Sequence, residues 1–320
     1  MSATAWARYA LRKLGVVALT LFASSLAIYG SLAVAPGDPA ANLAGTARPD
    51  PRVLAQVRAE YHLDDPWWLQ YLHWLGGFVT GDLGRSMVFR ADVSDLLAGR
   101  ASTTLLLVLY AGLLILGPGV GLGVLAGLSG NRVRQAVSIG TTVAMGAPTF
   151  VVAIVLITIF STSLSWFPVY GGGSGLADRL WHLTLPAVAL AFSYVAYVAA
   201  VTRGAVAEEL GAEHVDTARS RGLPRGVVNR RHVLRNATAP VLAVSGLTLA
   251  GLLAGTAVAE QAFGINGLGS LLIQSAAKKD FAVVQVISLL MVTVFVVVNA
   301  VVDTVNAALD PRTAPDGAVA

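Results

Sequence analysis

The 320-residue sequence contains no cysteine, and only 12% of its residues are charged. Without cysteine, the chain has no disulfide bond, no thiolate nucleophile and no zinc or iron–sulfur site built on cysteine. A soluble globular domain usually carries about 25% charged residues, whereas 55% of the residues here are hydrophobic and the mean hydropathy is +0.69. The composition therefore indicates a core that is buried in lipid.

Lysine is also scarce, because the chain has only Lys13, Lys278 and Lys279, and none of them follows a glycine. A Walker A loop, Gly-x-x-x-x-Gly-Lys-Ser/Thr, needs that lysine to reach the phosphates of a bound nucleotide. The sequence therefore excludes this kind of ATP site, and if the protein uses ATP, another chain must bind it.

Six apolar segments are long enough to cross a bilayer, since about 20 helical residues at ~1.5 Å each span a ~30 Å hydrocarbon core. None contains Asp, Glu, Lys or Arg until Asp303, near the end of the sixth. The first run is longer than the apolar region of a signal peptide, about 7–15 residues, so we interpret it as an uncleaved transmembrane helix. The sequence predicts an all-α polytopic membrane protein with six transmembrane helices. These segments are residues 14–35, 102–128, 137–160, 183–202, 238–259 and 282–305.

The second and fifth segments are rich in glycine. Small residues four apart let two helix backbones approach closely, so we expect tight helix packing there. Pro118 and Pro148 are expected to kink their helices. The residues of a translocation path stay unidentified, because small uncharged residues look alike whether they pack or line a cavity. The glycines concerned are Gly117, Gly119, Gly121, Gly123, Gly127, Gly251 and Gly255.

Basic residues predict the orientation of these helices. Most of them fall on one side of the predicted spans: ahead of the first span, at Arg132 and Arg134, and in the segment 203–235. The connections on the other side, 161–182 and 260–281, hold only Arg179, Lys278 and Lys279. The connection 36–101 also holds six arginines, but a loop of that length is largely exempt from the positive-inside rule. We therefore expect both termini on the cytoplasmic side. The net charge of +4 then reflects topology, and we expect no nucleic-acid partner.

The histidines show no His-x-x-x-His spacing and fall on both predicted sides of the membrane. A metal site needs several such ligands at one place, so we expect no metal site in this chain. We likewise expect no catalytic residue and no cofactor of its own. The five histidines are His62, His73, His182, His214 and His232.

The long first connection contains an aromatic-rich stretch, Trp67–Leu75. Asp65 is placed to cap a helix with Pro66 at its first position, and Gly76-Gly77 is expected to end that helix. Such a helix beside a membrane usually lies at the lipid–water interface. We interpret it as an anchor rather than as a platform for ligand binding.

The segment Glu208–Pro240 is the most strongly charged long stretch between two predicted spans. Its pattern predicts a helix over 205–221, a corner at Gly222 with positive φ, and a second helix that starts at Pro224 and ends before the next span at Pro240. A loop made basic by the positive-inside rule alone is the simpler alternative. An apolar stripe favours docking into a groove on a partner protein. The first helix contributes Val206, Leu210, Val215 and Ala218 to that stripe.

This segment resembles the cytoplasmic loop of ABC-type importer permeases, Glu-Ala-Ala, three residues, Gly, nine residues, Ile-x-Leu-Pro. Asp216-Thr217-Ala218 stands at the Glu-Ala-Ala positions, Gly222 at the Gly and Leu234 at the Leu. His232 replaces the Ile and Arg235 replaces the Pro. These departures are typical of the peptide and nickel permease branch, with its Thr-Ala-Arg-x-x-Gly-Leu and His-x-Leu-Arg-Asn-Ala.

Other segments extend the resemblance over residues 1–312. The branch shows Glu-x-x-Phe, found here as Glu260 to Phe263, and a closing Leu309-Asp310-Pro311-Arg312. The chain thereby divides into a first helix with its long outer loop (1–101), a permease core (102–312) with a coupling loop at 203–237, and a tail (313–320).

The resemblance implies a type I ABC importer permease fold in a bacterial inner membrane. It implies a second homologous permease subunit, two ATPase subunits that use ATP and Mg²⁺, and an extracytoplasmic binding protein that delivers a peptide. It also implies which residues dock on and couple to an ATPase. These are Glu209, Asp216, Thr217, Ala218, Arg219, Gly222, Leu223, His232, Leu234, Arg235 and Asn236.

Two other functions stay open. The same machinery could import nickel or another small solute, because a chelated metal needs no ligand in the permease. An ATP-independent channel or proton-coupled carrier is the second alternative. A proton-coupled carrier needs ionisable residues inside the membrane, and the first five predicted spans lack them. Asp303 lies at the cytoplasmic end of its span and is expected to be solvated.

Overall fold

Helices make up most of the computed structural model, which describes residues 3–34, 38, 40–41, 50–86 and 88–309. Helix α6 continues into a π-helix at Ile157–Ser163, and a second π-helix, Asn229–Leu234, joins α9 to α10. Strands β1 (Arg85–Ser86) and β2 (Ala91–Asp92) form a small antiparallel hairpin. The helices are α1 (Ala3–Val34), α2 (Pro51–Glu60), α3 (Trp67–Thr80), α4 (Val93–Leu128), α5 (Asn131–Met145), α6 (Thr149–Leu156), α7 (Leu176–Leu210), α8 (Glu213–Ser220), α9 (Arg225–Val228), α10 (Arg235–Ala262), α11 (Leu268–Ala277) and α12 (Phe281–Leu309).

Five uninterrupted helical stretches in the described part of the chain are long and apolar enough to cross a membrane. The bent pair of α5 and α6 passes the same test when its two helices are taken together, and counting it as one broken span gives six. The prediction of an all-α polytopic protein with six transmembrane helices is therefore confirmed. The five stretches are Trp6–Ser31, Val93–Leu128, Leu176–Leu210, Arg225–Ala262 and Phe281–Ala307.

The predicted third span, 137–160, is not one helix. The chain bends by 97° between α5 and α6, and Pro148 occupies the N-cap of α6 with extended backbone (φ −64°, ψ 138°). Proline has no N–H for the preceding turn and disfavours helical backbone at the residue before it, so the helix breaks here. By contrast, Pro118 lies inside the continuous helix α4.

Close packing of α4 on α7 builds the centre of the bundle. Gly119 and Gly127 of α4 face α7, and a Cβ added to them would lie 3.0 Å from Val198 and 2.6 Å from Val206. At Gly121, on another face of the same helix, an added Cβ would meet nothing within 4 Å. The predicted packing through glycines is therefore confirmed for one face of α4.

Two apolar clusters lie at the two ends of α4. At its start, Val93 packs with Val57 of the first connection and with Leu271 and Val283 of α11 and α12. At its other end, Val124 and Leu128 pack against a second cluster built from the segment that follows α7. The first connection and the segment 211–234 therefore lie at opposite ends of the bundle.

Helix α3 differs from its prediction in both boundaries. It begins at Trp67 with Pro66 at the N-cap, so Asp65 lies one residue too early to cap it. Two adjacent glycines do not end it, since it runs on to Thr80 and Gly81 (φ +88°) forms its C-cap. Helix α3 leans on α1, where Ser25 and Tyr71 share a buried 2.7 Å hydrogen bond.

Candidate functional site

The charged segment opens with a break that the sequence did not predict. Instead of one helix over 205–221, α7 ends at Leu210 and α8 starts at Glu213, with Gly211 at the C-cap of α7. Glycine is the poorest helix former after proline, and it leaves α7 free to end here. The N–H of Gly211 donates to the carbonyl of Glu208 at 3.1 Å. Helix α8 is therefore a short separate helix that follows the end of α7.

The predicted corner at Gly222 is confirmed, with φ of +76°. Gly222 N–H donates to Arg219 O at 2.9 Å, and Leu223 N–H donates to Ala218 O at 3.3 Å. These bonds close the last turn of α8 in the way that a left-handed glycine cap requires. Pro224 is the N-cap of the next helix rather than part of its first turn. A Cβ at Gly222 would meet nothing within 4 Å, so the backbone alone demands glycine here.

The second helix of the segment does not end before the fifth span. Helix α9 passes through the π-helix Asn229–Leu234 into α10, giving one helical stretch from Arg225 to Ala262. Pro240 lies inside α10 instead of marking a boundary. The corner at Gly222 is therefore connected to a transmembrane helix without an intervening loop.

The apolar stripe faces the chain's own helices, which corrects the prediction that it docks on a partner. Val206, Val215, Val228 and Val233 are at most 1% exposed and form one cluster with the end of α4. Burial of these side chains fixes α8 and α9 against the bundle. A partner could touch only the opposite side of this pair of helices.

The predicted docking residues divide by exposure. Ala218 is buried in the apolar cluster and is not available to a partner. Three are half-buried: Glu209, His232 and Leu234. Seven are exposed: Asp216, Thr217, Arg219, Gly222, Leu223, Arg235 and Asn236.

The exposed apolar residues of this surface lie at the corner. Leu223 is 39% exposed and Val227 is 37% exposed. Beside them Asp216 and Arg219 form an ion pair at 3.0 Å on α8. An exposed i,i+3 pair contributes little to stability, so its charges remain available to a partner. We define the docking corner as Asp216, Arg219, Gly222, Leu223 and Val227.

A polar cluster ties the two arms of the segment together. His214 Nε2 lies 3.4 Å from Glu209 Oε2, 3.0 Å from Asn236 Nδ2 and 3.2 Å from His232 O. The ring accepts from the amide when Nε2 carries no proton and donates to the carbonyl when it does. The sequence had singled out the other three residues, and His214 was missed because its role depends on contacts 18 and 22 residues away.

A buried carboxylate lies at the opposite end of the bundle. Glu260, predicted in a loop after the fifth span, lies inside α10 and is fully buried. Its Oε1 accepts from Thr104 Oγ1 at 2.6 Å, and its Oε2 accepts from the backbone N–H of Ser270 at 2.8 Å. The carboxylate thereby caps the N-terminus of α11 from another helix. The hydropathy pattern hid it, because α10 continues three residues past the apolar run.

Asp303 is not simply solvated, because it forms an ion pair with Lys13 of α1. The Asp303 side chain is 51% exposed and that of Lys13 is 26% exposed. The pair links the first and last spans.

Comparisons with known proteins cover most of the chain. Residues 119–315 match a family described as binding-protein-dependent transport system inner membrane component, and residues 6–107 match the N-terminal family of that membrane component. The probable peptide ABC transporter permease protein y4tP of Sinorhizobium fredii is 32% identical over 95% of this chain and 98% of its own. The glutathione transport system permease protein GsiC of Escherichia coli is 34% identical over 95% of this chain and 97% of its own.

Two solved structures resemble the fold. An amino acid ABC transporter with histidines aligns with a TM-score of 0.53 at 18% identity, covering 75% of this chain and 97% of that one. The MetNI methionine ABC transporter, in inward-facing conformations, aligns with a TM-score of 0.54 at 17% identity, covering 67% of this chain and 96% of that one. The arrangement of helices is therefore that of ABC importer permeases.

Proposed function

Since this chain belongs to the binding-protein-dependent transport system inner membrane component family, we propose that it imports short peptides as one of two non-identical permease subunits. Membership makes it a multi-pass membrane transport subunit rather than an enzyme. Two similar relatives are named as a peptide permease and a glutathione permease, and glutathione is itself a short peptide. That similarity, over 95% of the chain, supports the peptide cargo.

The proposed complex contains a second permease, two ATPase subunits and an extracytoplasmic binding protein. ATP and Mg²⁺ bind to the ATPases, because this chain has no Walker A lysine. Both termini and the docking corner face the cytoplasm, following the distribution of basic residues. The binding protein meets the other end of the bundle, where the first connection packs on α11 and α12.

Coupling rests on one structural observation, the uninterrupted helical stretch from Arg225 to Ala262. An ATPase that moves the docking corner displaces the cytoplasmic end of this stretch, and the motion passes directly to the fifth span. Burial of Val228 and Val233 makes α8, α9 and the end of α4 move together. Alternating access then arises from two packings of the spans, with ATP shifting their populations.

The first experiment is purification of the tagged chain in mild detergent, with mass spectrometry of the proteins that accompany it. Recovery of a second six-span permease and of Walker-motif proteins supports the importer. The binding protein of the same system is then titrated with short peptides, glutathione and nickel, and peptide binding supports the proposed cargo. Nickel binding without peptide binding transfers the proposal to the nickel alternative.

A chain that is recovered alone and conducts solute in liposomes without ATP contradicts the importer. The carrier alternative would then require an intramembrane proton site, and Glu260 is the buried carboxylate that could provide one. Its two oxygens accept hydrogen bonds from Thr104 and Ser270, which favours a structural role. The importer is therefore the better-supported function.

A further inference from the structure

The turn between α2 and α3 brings together three side chains with metal-ligating atoms. His62, Asp65 and His73 each offer one such atom, and these atoms lie within 4.8 Å of one another. Asp65 Oδ2 is 3.6 Å from His73 Nδ1 and 3.9 Å from His62 Nδ1. The sequence spacing did not predict that His62 and His73 lie together, because the turn and α3 bridge their separation in sequence.

The backbone of the turn holds this arrangement in place. His62 has φ of +50°, a conformation that a residue with a side chain rarely adopts and that clusters at functional sites. The side-chain amide of Gln70 donates to Leu63 O at 3.0 Å and to Asp65 O at 2.7 Å. Since Gln70 and His73 lie one turn apart on α3, these bonds fix Asp65 beside His73. The carboxylate is thus positioned before any ligand arrives.

The donor set matches a divalent late transition metal. Two imidazole nitrogens and one carboxylate oxygen suit Zn²⁺, Ni²⁺ or Cu²⁺, whereas Mg²⁺ and Ca²⁺ prefer oxygen ligands. Ligand bonds of about 2.0–2.2 Å in a tetrahedron place neighbouring ligand atoms about 3.4 Å apart. The side chains of His62, Asp65 and His73 are 53%, 36% and 43% exposed, so small rotations can close the remaining gap.

Three protein ligands leave one tetrahedral position open. His62 and His73 also line a cavity of about 410 Å³ whose walls include Tyr29 of α1, Trp74 of α3 and Gln285 of α12. A ligand atom that enters this cavity can fill the fourth position. Carboxylate and amine groups are suitable donors.

We propose that His62, Asp65 and His73 bind one divalent transition-metal ion of the zinc type beside the cavity between α1, α3 and α12. The ion cross-links the α2–α3 turn to α3 and leaves one coordination position for water or an external donor. The proposed site lies within this chain alone and does not depend on the cargo or on the ATPase.

The experiment titrates the full-length chain, purified in detergent through a tag without histidine and stripped of metal by chelation. Co²⁺ is added first, because its visible absorption reports tetrahedral nitrogen–oxygen coordination, and Zn²⁺ is then added as a competitor. One Co²⁺ ion per chain, displaced by Zn²⁺, is the expected result. His73→Gln and Asp65→Asn should each weaken binding by at least about tenfold, as loss of even an outer-shell partner does.

His182→Gln is the matched control. His182 Nδ1 lies 3.2 Å from Asp178 Oδ1. The substitution therefore removes a histidine from a histidine–carboxylate pair that lies outside the three-residue cluster. It should leave Co²⁺ binding unchanged. All three substituted side chains are at least partly exposed, and a size-exclusion profile verifies folding.

Two results overturn the proposal. One is a wild-type chain that takes up no stoichiometric Co²⁺ or Zn²⁺. The other is binding that survives in both His73→Gln and Asp65→Asn, since either variant alone removes a ligand.

Discussion

Ser86 Oγ donates a hydrogen bond to Oδ2 of Asp280, joining two fully buried residues that are 194 positions apart. Ser86 ends β1, and Asp280 lies between α11 and α12. The same hydroxyl accepts from Phe89 N–H at 2.9 Å, and Lys278 lies 4.6 Å from the centre of the Phe89 ring. This contact therefore secures the first connection to the end of the bundle where α12 begins.

We expect Ser86→Ala to destabilise the protein more at neutral pH than in acid. Burial raises the pKa of Asp280, while the hydrogen bond from Ser86 opposes that rise. Because its pKa is raised, Asp280 binds a proton more tightly in the folded state than in the unfolded state. Its ionisation therefore lowers the free energy of unfolding as pH rises through the raised pKa, and this loss disappears as pH falls below the usual pKa of an aspartate. Ser86→Ala removes a hydrogen-bond donor to the ionised Asp280 carboxylate, which should lower the free energy of unfolding by about 1–3 kcal/mol.

Thermal unfolding in detergent, measured from acid to neutral pH, tests this expectation. Ser174→Ala, at an exposed position, is the control and should leave the pH profile unchanged. A Ser86→Ala profile that is parallel to the wild-type profile at every pH would contradict the role assigned to the hydrogen bond.

Gly222→Val should insert normally into the membrane yet uncouple ATP hydrolysis from transport. Gly222 has φ of +76°, and a β-branched residue in that region costs on the order of 1–3 kcal/mol. The strain is confined to the backbone of the docking corner, because an added Cβ meets nothing within 4 Å and therefore clashes with no neighbouring residue. Transport and ATPase activity of the complex in proteoliposomes measure the coupling.

Gly226→Val is the matched control for that experiment. Gly226 lies in α9 and also has nothing within 4 Å of an added Cβ, but it is not among the glycines with positive φ. It should transport like the wild type. If Gly222→Val also transports at the wild-type rate, the corner does not transmit the motion.

The contrast between Gly222 and Glu260 shows what the sequence could predict. A glycine after a polar helix and two residues before a proline is a local signal, and its positive φ followed from it. The burial of Glu260 depends on Thr104 of α4 and Ser270 of α11, which donate hydrogen bonds to its carboxylate. Sequence periodicity contains no information on such contacts.

The apolar stripe and the third span illustrate the same limit. Spacing predicted that Val215 lies on an apolar face, but only tertiary packing decides that this face covers the end of α4. Hydropathy averaged over 137–160 predicted one span with a kink at Pro148, but not that the chain breaks into two helices bent by 97° there. The number of membrane crossings and the position of the corner could be predicted, and the orientation of each face could not.

Glu260→Ala should destabilise the protein by about 1–3 kcal/mol for each donor that loses its partner. The affected donors are Thr104 Oγ1 and Ser270 N–H. Thermal unfolding in detergent measures the loss, with Glu208→Ala as an exposed control. Glu260→Gln distinguishes a structural role of Glu260 from a role as a proton-binding site. If the role is structural, the importer should keep ATP-driven transport in the fraction that folds. If the chain is a carrier that binds its proton at Glu260, transport should be lost without loss of folded protein.

Leu223→Ser and Val215→Ser should fail in different ways, because one side chain is exposed and the other is buried. Leu223 is 39% exposed at the docking corner, so its loss should release the ATPase in a pull-down while the unfolding temperature stays near wild type. Val215 is fully buried between α8 and the bundle, so its loss should lower the free energy of unfolding by about 1–3 kcal/mol or more. If Val215→Ser stays stable but releases the ATPase, the apolar stripe is the docking face after all. If Leu223→Ser retains the ATPase fully, the partner binds elsewhere on the chain.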